Sequence, residues 1–477
     1  MPTPVSILPV GERRPLADPD LSPDLPPPPP GRDLMKIPVV ARILRSRWYP
    51  GILQIPVAAI FGLVAYQLLA GPVTADRNAG TALMWVLWWP VLPITFVVVG
   101  RFWCAVCPFG ALSDFVQKWV GVNRPVPRFL KLYGLWIIDA QFLAITWSDH
   151  IWGIVESPWG SGVLLLLLTT GVIISGAFFQ RRTFCRYLCF LGGLCSNYSR
   201  GSVVELRADT DVCRTCKAKA ACYNGTANQP GCPMFNFPRT MDSSANCNLC
   251  ANCIKACPND AIKIRTRKPT SELWFLDKPK VEESFLAVAI MGIVFIQNIT
   301  MLSVWQEVLA WIEMTTGITS YPAIFTVAFI AAVSIPVGLV ALASRIAARG
   351  NLEDTLANFA RFGYALIPLD IAAHVAHNLF HLLAEGSLVF STVASLFGAA
   401  PADGATPLAS PGTILALQLA VLAIGVMGSA YAVRRIAHRR YQTRARRRAT
   451  VTPYLVLVGI LAAVNVYLFM LPMAHRM

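Results

Sequence analysis

Charge is scarce in this 477-residue chain, where Asp, Glu, Lys and Arg together make up only 14% of the residues. Soluble globular proteins carry roughly a quarter, which argues against an ordinary water-soluble enzyme. Acidic residues are scarcest, 26 against 41 Lys and Arg. In a membrane protein such a basic excess gathers on cytoplasmic loops and sets orientation. Several catalytic signatures are also missing. No G-x-G-x-x-G opens a helix, and there is no P-loop, no G-x-S-x-G and no C-x-x-C-H for covalent haem. What the chain has in quantity is apolar residues (55%) and 13 cysteines.

Apolar runs long enough to cross a bilayer lie at about 52–70, 82–100, 162–180, 284–303, 321–343, 413–433 and 452–472. Two weaker runs, 132–147 with Asp139 and Gln141 and 363–384 with Asp370 and three histidines, bring the count to nine. Arg42, Arg45 and Arg47 precede the first span. Lys118, Arg124, Arg128 and Lys131 separate the second and third, and eight arginines between Arg434 and Arg448 separate the last two. Loops 148–161 and 385–412 contain no Lys or Arg. The positive-inside rule puts the N-terminus in the cytoplasm and the C-terminus outside, provided both weak spans are real. A basic stretch between two spans meets anionic lipid or sets topology, so lipid is an expected partner and nucleic acid is not.

Four regions are expected. Residues 1–34 form a Pro-rich disordered tail in which Arg13-Arg14 has no apolar region after it, so no export signal is read there. Residues 35–200 form a first membrane domain, 201–280 a polar insertion and 281–477 a second membrane domain. Residues 35–48 alternate apolar and basic side chains, as a segment lying on a membrane surface does.

The insertion holds eight of the cysteines. On the cytoplasmic side thiols stay reduced, so disulfides are not expected. Cys247-x2-Cys250-x2-Cys253-x3-Cys257-Pro258 places three thiolates around one iron–sulfur cubane and turns the fourth toward a second. Its counterpart is Cys213-x2-Cys216-x5-Cys222, with Cys232-Pro233 ten residues on. One [4Fe–4S] cluster is therefore expected on Cys213, Cys216, Cys222 and Cys257, and another on Cys247, Cys250, Cys253 and Cys232. Zinc is the competing reading, but zinc sites usually draw cysteines from two separated pairs. Two further pairs, Cys104-x2-Cys107-Pro108 and Cys185-x3-Cys189, each follow an apolar run and an arginine. They read as an internal repeat that would bring four thiolates together for a third cluster at the membrane; buried packing or thiol chemistry is the alternative. Cys195 has no partner in this scheme and reads as structural.

RFWCAVCPFGALSD, RRTFCRYLCFLGG and CNLCANCIKACPNDAI together resemble the membrane polyferredoxins typified by the quinol-oxidising subunit of periplasmic nitrate reductase systems. Similar modules occur in the nitrous-oxide-reductase electron-supply protein and in a copper-handling cytochrome oxidase accessory protein. The resemblance covers about residues 80–265. It implies a redox protein that moves single electrons between the membrane and a partner. This chain departs from the pattern in having Phe190 where the family usually has Pro and x2 where the first pair often has x3. No flavin-binding domain precedes the first span, and five hydrophobic segments stand where the copper proteins have a β-sandwich.

Asp370, His374, His377, Asn378, His381 and Glu385 fall on one face of the seventh span, opposite Leu, Ile, Ala, Val and Phe. Ionisable residues at membrane depth mark functional sites by default. The stripe could ligate haem b, with His150 or His475 as second ligand. It could take protons from a quinol, hold copper or another metal, or simply join helices by hydrogen bonds. Asp139, Gln141 and Gln297-Asn298 are further intramembrane polar groups, of which Asp139 best suits a proton path. Lys217, Lys219 and Lys255, beside the cysteines, would favour reduced clusters.

The expected molecule is an all-α polytopic membrane protein of about nine spans with an inserted small α+β double-cubane ferredoxin domain. It would lie in the bacterial inner membrane with that domain in the cytoplasm. It would pass electrons between the quinol pool and a respiratory partner, as a quinol-oxidising redox subunit of a larger complex. The alternative is a maturation factor that reduces a metal or cofactor for the assembly of a respiratory enzyme.

Overall fold

The computed structural model describes residues 31–218, 221–276, 278–400 and 404–472. Most of the Pro-rich tail, Lys219 and His475 lie outside these. Among the described residues, nine helices are long and apolar enough to cross a membrane, and both weak runs are among them, as Arg128–Trp152 and Thr355–Ala384. Polar groups weaken the hydropathy of these two helices because they face protein: Asp139, Asp370 and His374 are all nearly inaccessible.

In chain order, α1 (Pro38–Arg45) precedes the first span α2 (Gly51–Ala70). Residues Ala82–Trp88 then wind as a π-helix into α3 (Trp89–Val99), whose Pro90 and Pro93 lack the N–H groups that regular α-helical bonding needs. The first cysteine pair leads into α4 (Pro108–Val120), followed by α5 (Arg128–Trp152) and α6 (Pro158–Phe178). Ser157 caps α6 through the Gly160 amide. The second pair leads into the short buried helix α7 (Phe190–Ser199). Two spans, an arginine, a cysteine pair and a helix thus occur twice.

β1 (Val204–Ala208) opens the polar insertion and pairs antiparallel with β2 (Ile262–Thr266), which closes it, with Leu206 opposite Ile264. Leu206, Ile254, Ile262 and Ile264 form its core, to which Met35, Leu44 and Tyr49 add from outside. The amphipathic 35–48 segment therefore packs its buried side on the insertion, and Ile37, Val39, Ile43 and Trp48 stay exposed. The second half is α8 (Val281–Thr300), α9 (Tyr321–Asn351), α10 (Ile367–Ala384), α11 (Pro411–Arg440) and α12 (Arg444–Met470). α8 is the central pillar and is buried along nearly its whole length. At Gly292 it approaches α9 so closely that a Cβ would lie 2.4 Å from the Ala332 carbonyl oxygen.

The arginines between the last two spans extend these helices and meet protein. Arg435 stacks on Trp274, Arg439 on Phe275, and Arg440 donates to Glu353 at 2.9 Å. A buried ionic layer joins the insertion to the membrane half. Glu272 accepts from Arg267 and, at 3.2 Å, from Arg207; Arg200 donates to Glu283 at 2.5 Å, and Glu283 also accepts from the Tyr364 hydroxyl at 2.6 Å. Burial works to raise the Glu272 carboxyl, but Arg267, Arg207 and Arg200 outweigh it and hold the group at about 2. A carboxylate depressed in the folded state stabilises above its unfolded value and loses that contribution as pH falls toward the folded one. Glu272→Gln should therefore lower thermal stability at pH 7 by roughly 2–3 kcal/mol. The difference from wild type should shrink as pH drops from about 5 toward 2, read by melting curves across pH.

Candidate iron–sulfur sites

Four predicted cysteines, Cys213, Cys216, Cys222 and Cys257, line one small cavity at the outer edge of the insertion. Cys232, Cys247, Cys250 and Cys253 line a second, and Pro238 borders both. The loop carrying the second set wraps tightly because Leu249 and Ala251 adopt left-handed backbone (φ 54° and 60°). Backbone N–H groups of Leu249 and Asn252 thereby reach the sulfurs of Cys247 and Cys250. The Cys232 sulfur accepts from the Asn236 N–H at 3.3 Å, Cys257 from Ala261 N–H at 3.4 Å, and Cys216 from the Asn259 amide at 3.2 Å. Donors aimed at sulfur stabilise thiolates and tune cluster potential.

The donor sets suit a polynuclear group. Each is all sulfur and surrounds a cavity, and among the described residues no three His, Cys, Asp or Glu converge on a position for a single ion. A zinc site would draw its four ligands to one point. Burial pushes the Cys247 thiol up to about 12 and those of Cys222 and Cys250 up to about 11. Loading with a cationic metal must then displace these protons.

The two membrane pairs also come together. Cys104, Cys107, Cys185 and Cys189 lie within one another's electrostatic reach. Two arginines with only 3% of their surface exposed hold them, and each crosses to the other repeat. Arg182, before Cys185, donates to the Cys104 carbonyl at 2.8 Å and grips Asp114 with two nitrogens at 3.0 and 2.6 Å. Arg101, before Cys104, donates to the Cys185 carbonyl at 3.4 Å, to the Cys104 sulfur at 3.3 Å and to Ala245 O, just ahead of Cys247. A glycine three residues after each pair makes the crossing possible. A Cβ on Gly110 would sit 2.9 Å from Arg182 Nη1, and one on Gly192 would sit 3.3 Å from Arg101 Nη2. The N–H groups of the same two glycines point at Cys107 and Cys189.

Sequence reasoning noted an arginine before each pair but missed the crossing it makes and the glycines that permit it, although R-x2-C and C-x2-G recur in both repeats. It also set Cys195 aside; α7 carries that residue back beside Cys104. Lys255 donates to the Tyr49 carbonyl at 2.7 Å and stays within electrostatic reach of Cys250 and Cys253, while Lys219 lies outside the described residues. Further cations near the cysteines include Arg101, Arg182 and Arg181, the last donating to the Cys232 carbonyl at 3.2 Å.

The histidine stripe is buried inside the bundle. The Tyr198 hydroxyl bonds His374 Nδ1 at 3.0 Å and lies beside Asp370, neither of whose oxygens has a partner in bonding geometry. His377 Nδ1 meets Asn298 Oδ1 at 2.8 Å, and His381 Nδ1 meets Glu385 at 3.1 Å. Each histidine thus has its own neighbour, and no three groups of the stripe share one ion position. His150 stacks on Phe325 at 4.9 Å and bonds the Thr146 carbonyl. Asp139 is buried near Glu282 and Glu283.

Comparison with known proteins falls on the membrane pairs. The model of a 4Fe-4S binding domain matches residues 81–127 and 162–202, the two repeats that carry Cys104, Cys107, Cys185 and Cys189. Two uncharacterized proteins of Methanocaldococcus jannaschii are 24% and 26% identical to the chain over 194 and 204 residues. These matches cover 36% and 40% of this chain and 75% and 73% of theirs. The proposed electron transport protein YccM of Escherichia coli is 24% identical over 231 residues, covering 43% of this chain and 60% of its own. No solved structure matches.

Gly110→Val should push Arg182 off the first pair and empty the membrane set alone. The expected result is a loss of about four iron and four sulfide per chain, with the rest retained, by iron and acid-labile sulfide assay. The chain thus joins a match to a 4Fe-4S binding domain, centred on the two membrane cysteine pairs, to nine helices that, among the described residues, are long and apolar enough to cross a membrane.

Proposed function

We propose that this protein passes electrons between the quinol pool and a respiratory partner through three [4Fe–4S] sites. The observation that carries the reading is the contact sequence of the three cysteine sets. Cys250 packs on Ala105 and Val106, the two residues between Cys104 and Cys107, and Pro238 separates the remaining two sets. Each cluster, when bound, takes up and releases one electron at a time.

The chain supplies the rest. The crossed arginines place positive charge beside the membrane set, which favours its reduction, while the Cys213 set lies nearest the surface with Arg239 in its wall. Around that outer set Arg214 and Lys217 are exposed, so the partner is a redox protein with an acidic docking face. The bacterial inner membrane, with the insertion in the cytoplasm, is the location that the basic loops favour. The histidine stripe, with its internal pairings, serves to hold α10 against α7 and α8.

Anaerobically purified protein should contain about twelve iron and twelve sulfide per chain. Cys107→Ser should abolish reduction of the remaining clusters by quinol while dithionite still reduces them, followed by visible bleaching and electron paramagnetic resonance. Reduction by quinol at the wild-type rate in that variant would refute the sequence of sites.

A further inference from the structure

The cysteine sequence ends on a space that no sequence motif announced. An apolar cavity of about 520 Å³ lies among α2, the π-helical turn, α5, α6 and α7, and the Cys107 side chain forms part of its wall. We propose that this cavity binds the head and first isoprene units of a quinol, so that the site lies here and not at the histidine stripe. The proposal rests on the quinol reading above and gives it a location.

Four observations select the occupant. The volume falls within the range of small-molecule sites, roughly 300–1,000 Å³. Trp85, Trp88, Trp89 and Trp103 all line it, offering flat faces to an aromatic ring. Trp85, Trp88 and Trp89 stand at i, i+3 and i+4, the spacing that puts side chains on one face of a helix. Among the described residues, the polar side chains in the wall besides Cys107 are Thr146, Asp149 and Gln297, together with the indole N–H groups, of which that of Trp85 is held by Ser161, and no Lys or Arg is present. A phospholipid headgroup would find no cation for its phosphate and would face the Asp149 carboxylate, whereas a neutral ring with hydroxyl groups finds hydrogen-bond partners. Finally, Ile60 and Leu87 line the cavity and are also 55% and 39% exposed, so it opens sideways between α2 and the π-helical turn, toward the bilayer.

No residue of the stripe lines this cavity, although two of its walls back onto it. Trp89 packs against His374 at 6.0 Å, and Gln297 precedes Asn298, the partner of His377. The oxidation balances as follows. The quinol would lose two electrons, one after the other, to the [4Fe–4S] group that Cys104, Cys107, Cys185 and Cys189 would hold, with the redox-protein partner proposed above as the final acceptor. Its two hydroxyl protons go in turn to the Asp149 carboxylate, whose side chain is 15% exposed and passes them to solvent on the face opposite the insertion. The quinone that remains leaves by the lateral opening.

The test uses the full chain in nanodiscs with short-tailed ubiquinol and menaquinol analogues. Ile60→Trp closes the opening at a lipid-facing position, and Leu165→Trp fills the interior. Both should keep wild-type iron content and lower bound quinone and the rate of cluster reduction by about tenfold or more. Val327→Trp on the exposed face of α9 should change neither. Wild-type binding and reduction in both cavity variants would overturn the location and leave the electron-transfer reading intact. Failure of either quinol to reduce the wild-type clusters, with dithionite still doing so, would overturn the quinol reading and the cavity assignment with it.

Discussion

Two buried guanidinium groups fix the architecture around the membrane cysteines. Arg101 and Arg182 are as inaccessible as core leucines, and a lone charge in that position is destabilising by several kcal/mol. Asp114 answers Arg182 directly, whereas among the described residues Arg101 bonds backbone carbonyls and the Cys104 sulfur, with Cys189 and Cys195 near it. The arrangement makes sense when the sulfurs bear negative charge, as cluster ligands do. The arginines are therefore structural ties and electrostatic counterparts at once, and each reaches across to the repeat it does not belong to.

That crossing explains how the parts lie in line. Arg101 touches both membrane pairs and the carbonyl of Ala245, two residues before the first ligand of the Cys247 loop. The insertion is thus pinned with Cys250 against Ala105 and Val106. On its other flank the Arg200, Arg267, Glu272 and Glu283 layer anchors it to α8. The polar insertion is held at both ends by buried charge, a rigid mounting suited to redox groups that must keep fixed separations.

Much of this was legible in the chain. Hydropathy located nine spans because length and composition suffice for that, and the cysteine spacings grouped the sulfurs of the insertion because ligands within one loop obey local geometry. Cys222, separated from Cys216 by five residues in an unusual spacing, sits in the short helix Ala221–Asn224 and shares a cavity with Cys213 and Cys216. The repeat also led to the meeting of the two membrane pairs, but the side chains that tie one repeat to the other were not legible. Gly110 and Gly192 look like ordinary glycines until the opposite arginine arrives, and Cys195 looks isolated until α7 folds back to Cys104. The cavity escaped for the same reason, since its wall is drawn from seven separate stretches of the chain without a shared pattern. Phe190, a departure from the usual Pro, starts α7 and becomes part of that wall beside Phe142.

The reciprocal ties also impose an order on biogenesis. Cys104 and Cys107 leave the ribosome some eighty residues before Cys185 and Cys189, and the carbonyl that completes the grip of Arg101 comes about sixty residues later still. Half of the membrane set is thus inserted into the bilayer with its arginine lacking its distant partners. Metal loading there has to wait until both repeats and the start of the polar insertion have been made. The machinery that delivers iron and sulfide must then reach it from the insertion's side, before Cys250 packs down over Ala105 and Val106.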